Sequence, residues 1–348
     1  MIKYIVKRLG IAVVMILGVT MIIFCIIRMQ PGNPFLHMVQ ADTNAEFMEA
    51  KLREIGYYDP LPIQYGKWLL RTLHFDLGYS IQYNAPVSGL ILDRFSNTVV
   101  LATSSFLVSM VVAIAVGVFS ALHPNTKSDY VITILSFICV SIPVFFFGLL
   151  LIKIFGYDLK ILPFSGIETL GTHYTGAQRV LDIGKHLILP MTASAMTQTA
   201  TLIRYTRASL METVSEGYID TAMAKGLTRK RAIIKHGMKN AKISIISVLC
   251  NKIPDLLSGA LIVETVFVWP GLGQLNYQAI LQQDYPLIMG ITLLIAVIVI
   301  ICNLLADILY MIVDPRIRYE GKNKYEKKTS DKKYIYIQAN IYKKIYEK

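Results

Sequence analysis

Residues 218–241 read Tyr-Ile-Asp-Thr-Ala-Met-Ala-Lys-Gly-Leu-Thr-Arg-Lys-Arg-Ala-Ile-Ile-Lys-His-Gly-Met-Lys-Asn-Ala, a basic and partly helical stretch between two apolar runs. An excess of Lys and Arg marks cytosolic loops of membrane proteins, so this segment belongs on the inner face. From Val214 to Lys225 the pattern predicts a short helix, with Tyr218, Ala222 and Leu227 available for contact. Gly226 permits a bend, or a close backbone approach that a side chain would obstruct. Thr228 can cap a second helix running to about Asn240, with Arg229, Lys230, Arg231 and Lys235 on its surface. These residue types suit docking into another protein's groove. An ordinary cytosolic loop whose arginines merely obey topology explains the same pattern.

Working outward, 54% of the 348 residues are hydrophobic and only 17% charged, a balance foreign to soluble globular chains. A helix needs about 20 mostly apolar residues to cross the hydrocarbon core. Leu9–Ile27, Thr98–Leu122, Tyr130–Ile152 and Tyr285–Ala306 meet that length without a charge. Two further spans are weaker. Leu187–Ile203 carries Thr192, Ser194, Thr197, Gln198, Thr199 and Thr201, and Ile243–Val263 is interrupted by Lys252, Pro254 and Asp255. Polar or Pro-broken spans are tolerated beside other helices or a wet cavity, so these two are expected to line a path. The expectation is an all-α polytopic membrane protein of six spans.

Six spans place both ends on one side. With the N-terminus inside, 24 of the 35 Lys and Arg residues fall in cytosolic pieces. The tail from residue 314 is the most basic of these, and it is expected to lie near anionic lipid. The net charge of +12 is therefore largely a matter of topology. No basic stripe borders a soluble domain, which argues against nucleic acid as a partner. Lys3, Lys7 and Arg8 before an apolar run mimic a signal peptide. That run continues into Cys25-Ile-Ile-Arg-Met-Gln30 without a cleavage pattern, so it reads as a retained anchor. Cys25, Cys139, Cys250 and Cys302 lie in apolar runs with no close pair, which disfavours disulfides and thiolate metal sites.

The division expected is an anchor plus external segment over 1–95, a transmembrane domain over 96–313 and a tail over 314–348. In the external segment, Thr43 or Asn44 can cap a helix ending before Gly56. The apolar and aromatic stretch Leu61–Leu70 reads either as packing of a small external subdomain or as a docking rim for a delivery protein.

Asp220-Thr-Ala-Met-Ala-Lys-Gly226 resembles the "EAA…G" loop of binding-protein-dependent ABC importer permeases, with Asp for Glu and Thr for the first Ala. His236-Gly-Met-Lys-Asn-Ala241 is similar to the variant in the dipeptide, oligopeptide and nickel branch. Arg28-Met-Gln-Pro-Gly-Asn-Pro34, Glu264-Thr-Val-Phe-Val-Trp-Pro-Gly-Leu-Gly273 and Asp314-Pro-Arg-Ile-Arg318 resemble three other motifs of that branch. The Ile-x-Leu-Pro that follows the loop glycine in the broader family is absent here.

This resemblance implies a type I importer architecture: two permeases, expected here as a heterodimer, two cytosolic ATPases and an external solute-binding protein in a bacterial plasma membrane. It implies coupling through segment 214–241, with Tyr218, Asp220, Ala222, Ala224, Gly226, Leu227, Arg231, His236 and Asn240 as ATPase-facing candidates. It marks Trp269, Pro270, Gly271 and Gly273 as an external loop motif. No Gly-x-x-x-x-Gly-Lys-Ser/Thr occurs, so ATP is expected to be used by the partner and no cofactor to be bound by this chain.

Path candidates are Asp255, Gln198 and Thr201. Lys252 lies three residues before Asp255 and can pair with it on the same helix face. Alternatively, Asp255 meets a cationic cargo. With Gln64-Tyr-Gly-Lys-Trp68 and Cys302-Asn-Leu, which resemble nickel permeases, this points to nickel as the ion or a chelate, with peptides as the alternative cargo. The histidines show no metal-ligand spacing. A gradient-driven carrier using Asp255, Glu264 and Asp307 as relay groups is the competing class. An intramembrane enzyme lacks paired catalytic groups.

Overall fold

In this computed structural model the chain is described over residues 2–29, 58–252 and 260–313, and the described residues are mostly helical, with longer non-helical stretches at 74–86 and 159–175. The helices are α1 (Ile2–Met29), α2 (Leu61–Leu73), α3 (Val87–Leu122), α4 (Lys127–Ser141) and α5 (Val144–Leu151). A π-helical turn (Ile152–Asp158) extends α5. Then come α6 (Gly176–Val214), α7 (Gly217–Ala224) and α8 (Arg229–Ala232), which passes through a second π-helical turn (Ile233–Gly237) into α9 (Met238–Lys252). The last three are α10 (Ala260–Val266), α11 (Leu272–Leu281) and α12 (Tyr285–Val313).

Arg8–Met29, Val87–Leu122 and Tyr285–Leu309 are each long and apolar enough to cross a bilayer. They contain three of the four clean spans, although α3 starts at Val87 rather than Thr98. The fourth, Tyr130–Ile152, is not one straight helix. Lys127–Ser141 and Val144–Asp158 meet at an angle of 101°. The break falls at Ile142-Pro143, where Ile142 is extended (φ −79°, ψ 124°) and Pro143 stands at the start of α5. Proline lacks an N–H and pushes the residue before it out of the helical region, so the turn ends there. The polar span Leu187–Ile203 lies inside α6, which continues through Pro190.

α3 and α6 form the centre of the molecule. Thr98, Ala102, Ser105, Ser109, Ala113, Gly117 and Ala121 recur every three or four residues along the buried stripe of α3. Small side chains let helix backbones approach closely in lipid, where water supplies no driving force between apolar faces. The approach is tightest at Gly117, where a Cβ would stand 2.7 Å from Thr206 Cβ and 3.0 Å from the Ile203 carbonyl oxygen.

The first and last described helices meet through Arg8 and Asp307, paired at 2.9 Å. The start of α1 therefore lies beside the end of α12. α2 packs against α1: Thr20 Oγ1 and the Tyr65 hydroxyl are 2.9 Å apart, and that hydroxyl also donates to the Leu17 carbonyl at 3.2 Å. The Tyr65 ring meets Phe24 edge-on at 5.6 Å. Within the Leu61–Leu70 stretch, Tyr65 and Trp68 pack inward, while Leu61, Ile63 and Leu70 are exposed. The helix expected after Thr43, most of the 28–34 motif and the 314–318 motif lie outside the described residues.

Candidate functional site

The segment between α6 and α9 is a helical hairpin. α6 ends at Val214, and α7 opens three residues later with Asp220 in its first turn, where a negative charge is favoured by the helix dipole. At its other end, Gly226 adopts φ +90°. The Gly226 N–H donates to Met223 O at 2.9 Å and the Leu227 N–H to Ala222 O at 3.2 Å, the paired bonds of a Schellman terminus. A Cβ on Gly226 would meet nothing within 4 Å. The bend, not a close approach within this chain, explains the glycine.

The hairpin's inner face differs from the one expected. Ala222 is buried against Ile219 and Ala232, with Tyr218 and Leu227 half-buried beside them. Ala222 therefore packs within the hairpin instead of presenting itself for contact, because the Schellman turn folds Leu227 back over it. The Tyr218 hydroxyl is buried without a hydrogen-bond partner among the described residues. Asp220, Ala224, Lys225, Gly226, Arg229 and Arg231 form the exposed side, and Asn240 is exposed further on.

The second arm starts at Thr228, whose backbone is extended and whose side chain makes no capping bond. It does not stop at Asn240 but continues to Lys252, with the π-helical turn carrying the half-buried His236. That turn buries Ile233 and Gly237. A Cβ on Gly237 would lie 3.6 Å from Thr213 Oγ1 and 3.8 Å from Ile219 Cδ1, so the arm lies across both α7 and the end of α6. Ile233, Ala241 and Ile245 then pack with Leu210 of α6 and Ala121 of α3. The hairpin is thereby seated on the ends of the two central helices.

Just above this seat is an ion pair that the sequence did not single out. Arg207 Nε and Nη2 donate to the two Asp129 carboxylate oxygens at 2.7 Å each. Ser120 of α3 also donates to that carboxylate, as does the Asn125 amide at 3.0 Å. The partners are 78 residues apart, a separation at which no spacing pattern signals a contact.

Among path candidates, Asp255 lies outside the described residues. Gln198 and Thr201 share a face of α6. Gln198 Oε1 is buried without a partner among the described residues, and the Thr201 hydroxyl donates to Thr197 O at 3.0 Å.

The external loop motif is a joint. Trp269 is fully buried, its Nε1 donates to Asn97 O at 3.0 Å, and Asn97 Nδ2 donates to Pro270 O at 2.8 Å. Glu264 Oε2 accepts the amides of Gly273 at 2.7 Å and Gln274 at 3.1 Å, which caps the start of α11. A Cβ on Gly271 would overlap that carboxylate, and one on Gly273 would fall 2.9 Å from it. With Glu264 held here and Asp307 paired with Arg8, two of the three relay candidates are engaged in structural bonds.

The chain matches the family described as binding-protein-dependent transport system inner membrane components over residues 113–319, and the N-terminal region of such components over residues 1–102. It is 40% identical to the oligopeptide transport system permease protein AppB of Bacillus subtilis, over 92% of this chain and 100% of that protein. It is 33% identical to the dipeptide transport system permease protein DppB of Escherichia coli, again over 92% and 100%. In solved structures, the MetNI methionine ABC transporter in an inward-facing form matches 65% of this chain and 97% of its own, with a TM-score of 0.50. At 16% identity that likeness is one of fold.

Proposed function

This chain belongs to the family of binding-protein-dependent transport system inner membrane components, and on that premise we propose that it passes short peptides through an ATP-driven importer. The relatives named above are oligopeptide and dipeptide permeases, which favours peptides over the nickel first expected. Asp255, the residue that suggested a cationic cargo, lies outside the described residues.

In this reading the membrane path is made of six crossings. α6, and α9 with α10, supply the two polar ones. Both chain ends face the cytosol: the Arg8–Asp307 contact supports one side for the start of α1 and the end of α12, and the Lys/Arg bias supports that side being the cytosol. A second permease, two cytosolic ATPases and a solute-binding protein complete the importer. The ATPase grips the exposed side of the α7–α8 hairpin through Asp220, Ala224, Gly226 and Arg231.

One observation carries the reading. The hairpin is packed through Ile233 onto Leu210 and Ala121, so displacing it displaces the ends of α6 and α3. A gate of this kind needs no chemistry of its own, only two arrangements of its helices biased by what binds them.

The test is uptake of a labelled dipeptide by the reconstituted importer, with and without the ATPase subunits. Uptake only with ATPase and ATP is expected. Nickel accumulation without peptide uptake would overturn the cargo assignment.

A further inference from the structure

We propose that the Asp129–Arg207 pair is a positioning element that makes α4 travel with α6 when the ATPase displaces the α7–α8 hairpin. This inference rests on the importer reading above.

The position comes first. Arg207 lies two turns before the end of α6, about 10 Å from Val214 at the helical rise. Asp129 sits in the first turn of α4 and is 2% exposed. Ser120, which donates to the same carboxylate, belongs to the last turn of α3. One carboxylate therefore joins three helices at the level where the hairpin is seated.

The chemistry explains why a charge pair stands here. Lipid tails are as apolar as the helix faces, so apolar burial by itself does not favour one placement of α4 on α6 over another. A two-pronged guanidinium–carboxylate pair fixes both distance and angle. The Asp129 carboxylate is buried and the Arg207 side chain is 31% exposed, and taking such a charge out of water is seldom the cheapest route to stability, because well-packed apolar residues often do as well or better. What it supplies is a defined geometry between α4 and α6. α4 in turn leads to the 101° bend before α5, so any movement it inherits from α6 is delivered to that bend. Gly117 against Thr206 holds α3 to α6 one residue from Arg207, so the same anchor includes α3.

The experiment uses the complete importer in lipid nanodiscs and liposomes. Spin labels at Tyr130→Cys on α4 and Ala208→Cys on α6, both exposed positions, in a background with the four native cysteines replaced, report the distance between these helices. The expected result is the same distance with and without ATP when Asp129 and Arg207 are intact, and a broadened distribution in Arg207→Lys. Lysine keeps the charge and loses the two-pronged grip. In the same variant the peptide moved per ATP hydrolysed should fall about two- to thirtyfold, the range for a mutation in a coupling network. Assembly of the complex should be unchanged, whereas a purely structural role would lower assembly and leave that ratio alone. A shift of several ångströms between α4 and α6 in the intact pair would overturn the proposal, and so would an unchanged ratio in assembled Arg207→Lys. If Arg207→Lys does not assemble, the distance measured with the pair intact decides by itself. Absence of ATP-dependent uptake in the unsubstituted importer would sink the importer reading instead.

Discussion

Glu264 Oε1 accepts the hydroxyl proton of Thr98 at 2.7 Å, across 166 residues of chain. The Thr98 oxygen in turn accepts the Leu272 amide at 2.7 Å, so α3, α10 and α11 share one buried polar joint. The Glu-x₄-Trp-Pro-Gly-Leu-Gly pattern exists to build it: the acid caps α11, the tryptophan keys to Asn97, and the two glycines leave room for the carboxylate.

Removing the acid tests that joint. Glu264→Ala leaves the Gly273 and Gln274 amides and the Thr98 hydroxyl without their acceptor, at a cost of about 1–3 kcal/mol for each buried orphan group. Gly271→Ala pushes a methyl into the carboxylate. Both variants should unfold at lower temperature in detergent than the parent. An unchanged Tm in both would contradict the joint.

The hairpin makes a different prediction. Gly226→Val forces a branched side chain into left-handed backbone, a strain of about 1–2 kcal/mol, and places it on the exposed side of the hairpin. Asp220→Lys reverses an exposed charge at the start of α7. Both should lower peptide uptake and the ATP hydrolysis stimulated by loaded binding protein, while membrane insertion stays normal. Wild-type uptake in both variants would remove the docking role from this segment.

Much of this was legible in the sequence. Three apolar spans and the bend at Gly226 were visible in local patterns, whereas the external loop motif was marked only by its resemblance to a known family. The break in the fourth span was marked by Ile142-Pro143 but hidden in an otherwise uncharged run. The inward turn of Ala222 depends on Leu227 folding back over it, which spacing on a single helix does not show. Asp129 and Arg207 left no signal because their contact is purely tertiary. The stripe of small residues on α3 was masked for another reason: faces toward lipid and toward protein are both apolar, so hydropathy does not separate them.

That stripe can be tested at its tightest point. Gly117→Leu needs space already filled by Thr206, and overpacking of this kind costs about 1–3 kcal/mol or shifts the helices. The variant should lose thermal stability and purify poorly, whereas Val111→Leu on the exposed face of the same helix should behave as the parent. Equal stability of the two variants would mean that α3 does not pack on α6 through this face.

The cargo assignment predicts a competition pattern. Unlabelled dipeptides and short oligopeptides in excess should suppress uptake of a labelled dipeptide by the complete importer, and nickel salts or chelates should not. Suppression by nickel alone would restore the metal reading.

The most direct measurement places this chain, with its partner permease, in liposomes with and without the ATPase subunits, and follows labelled dipeptide delivered by the binding protein. Sustained accumulation should require the ATPases and ATP, and imposed proton or sodium gradients should not substitute for them. Gradient-driven accumulation with no ATPase present would contradict the account.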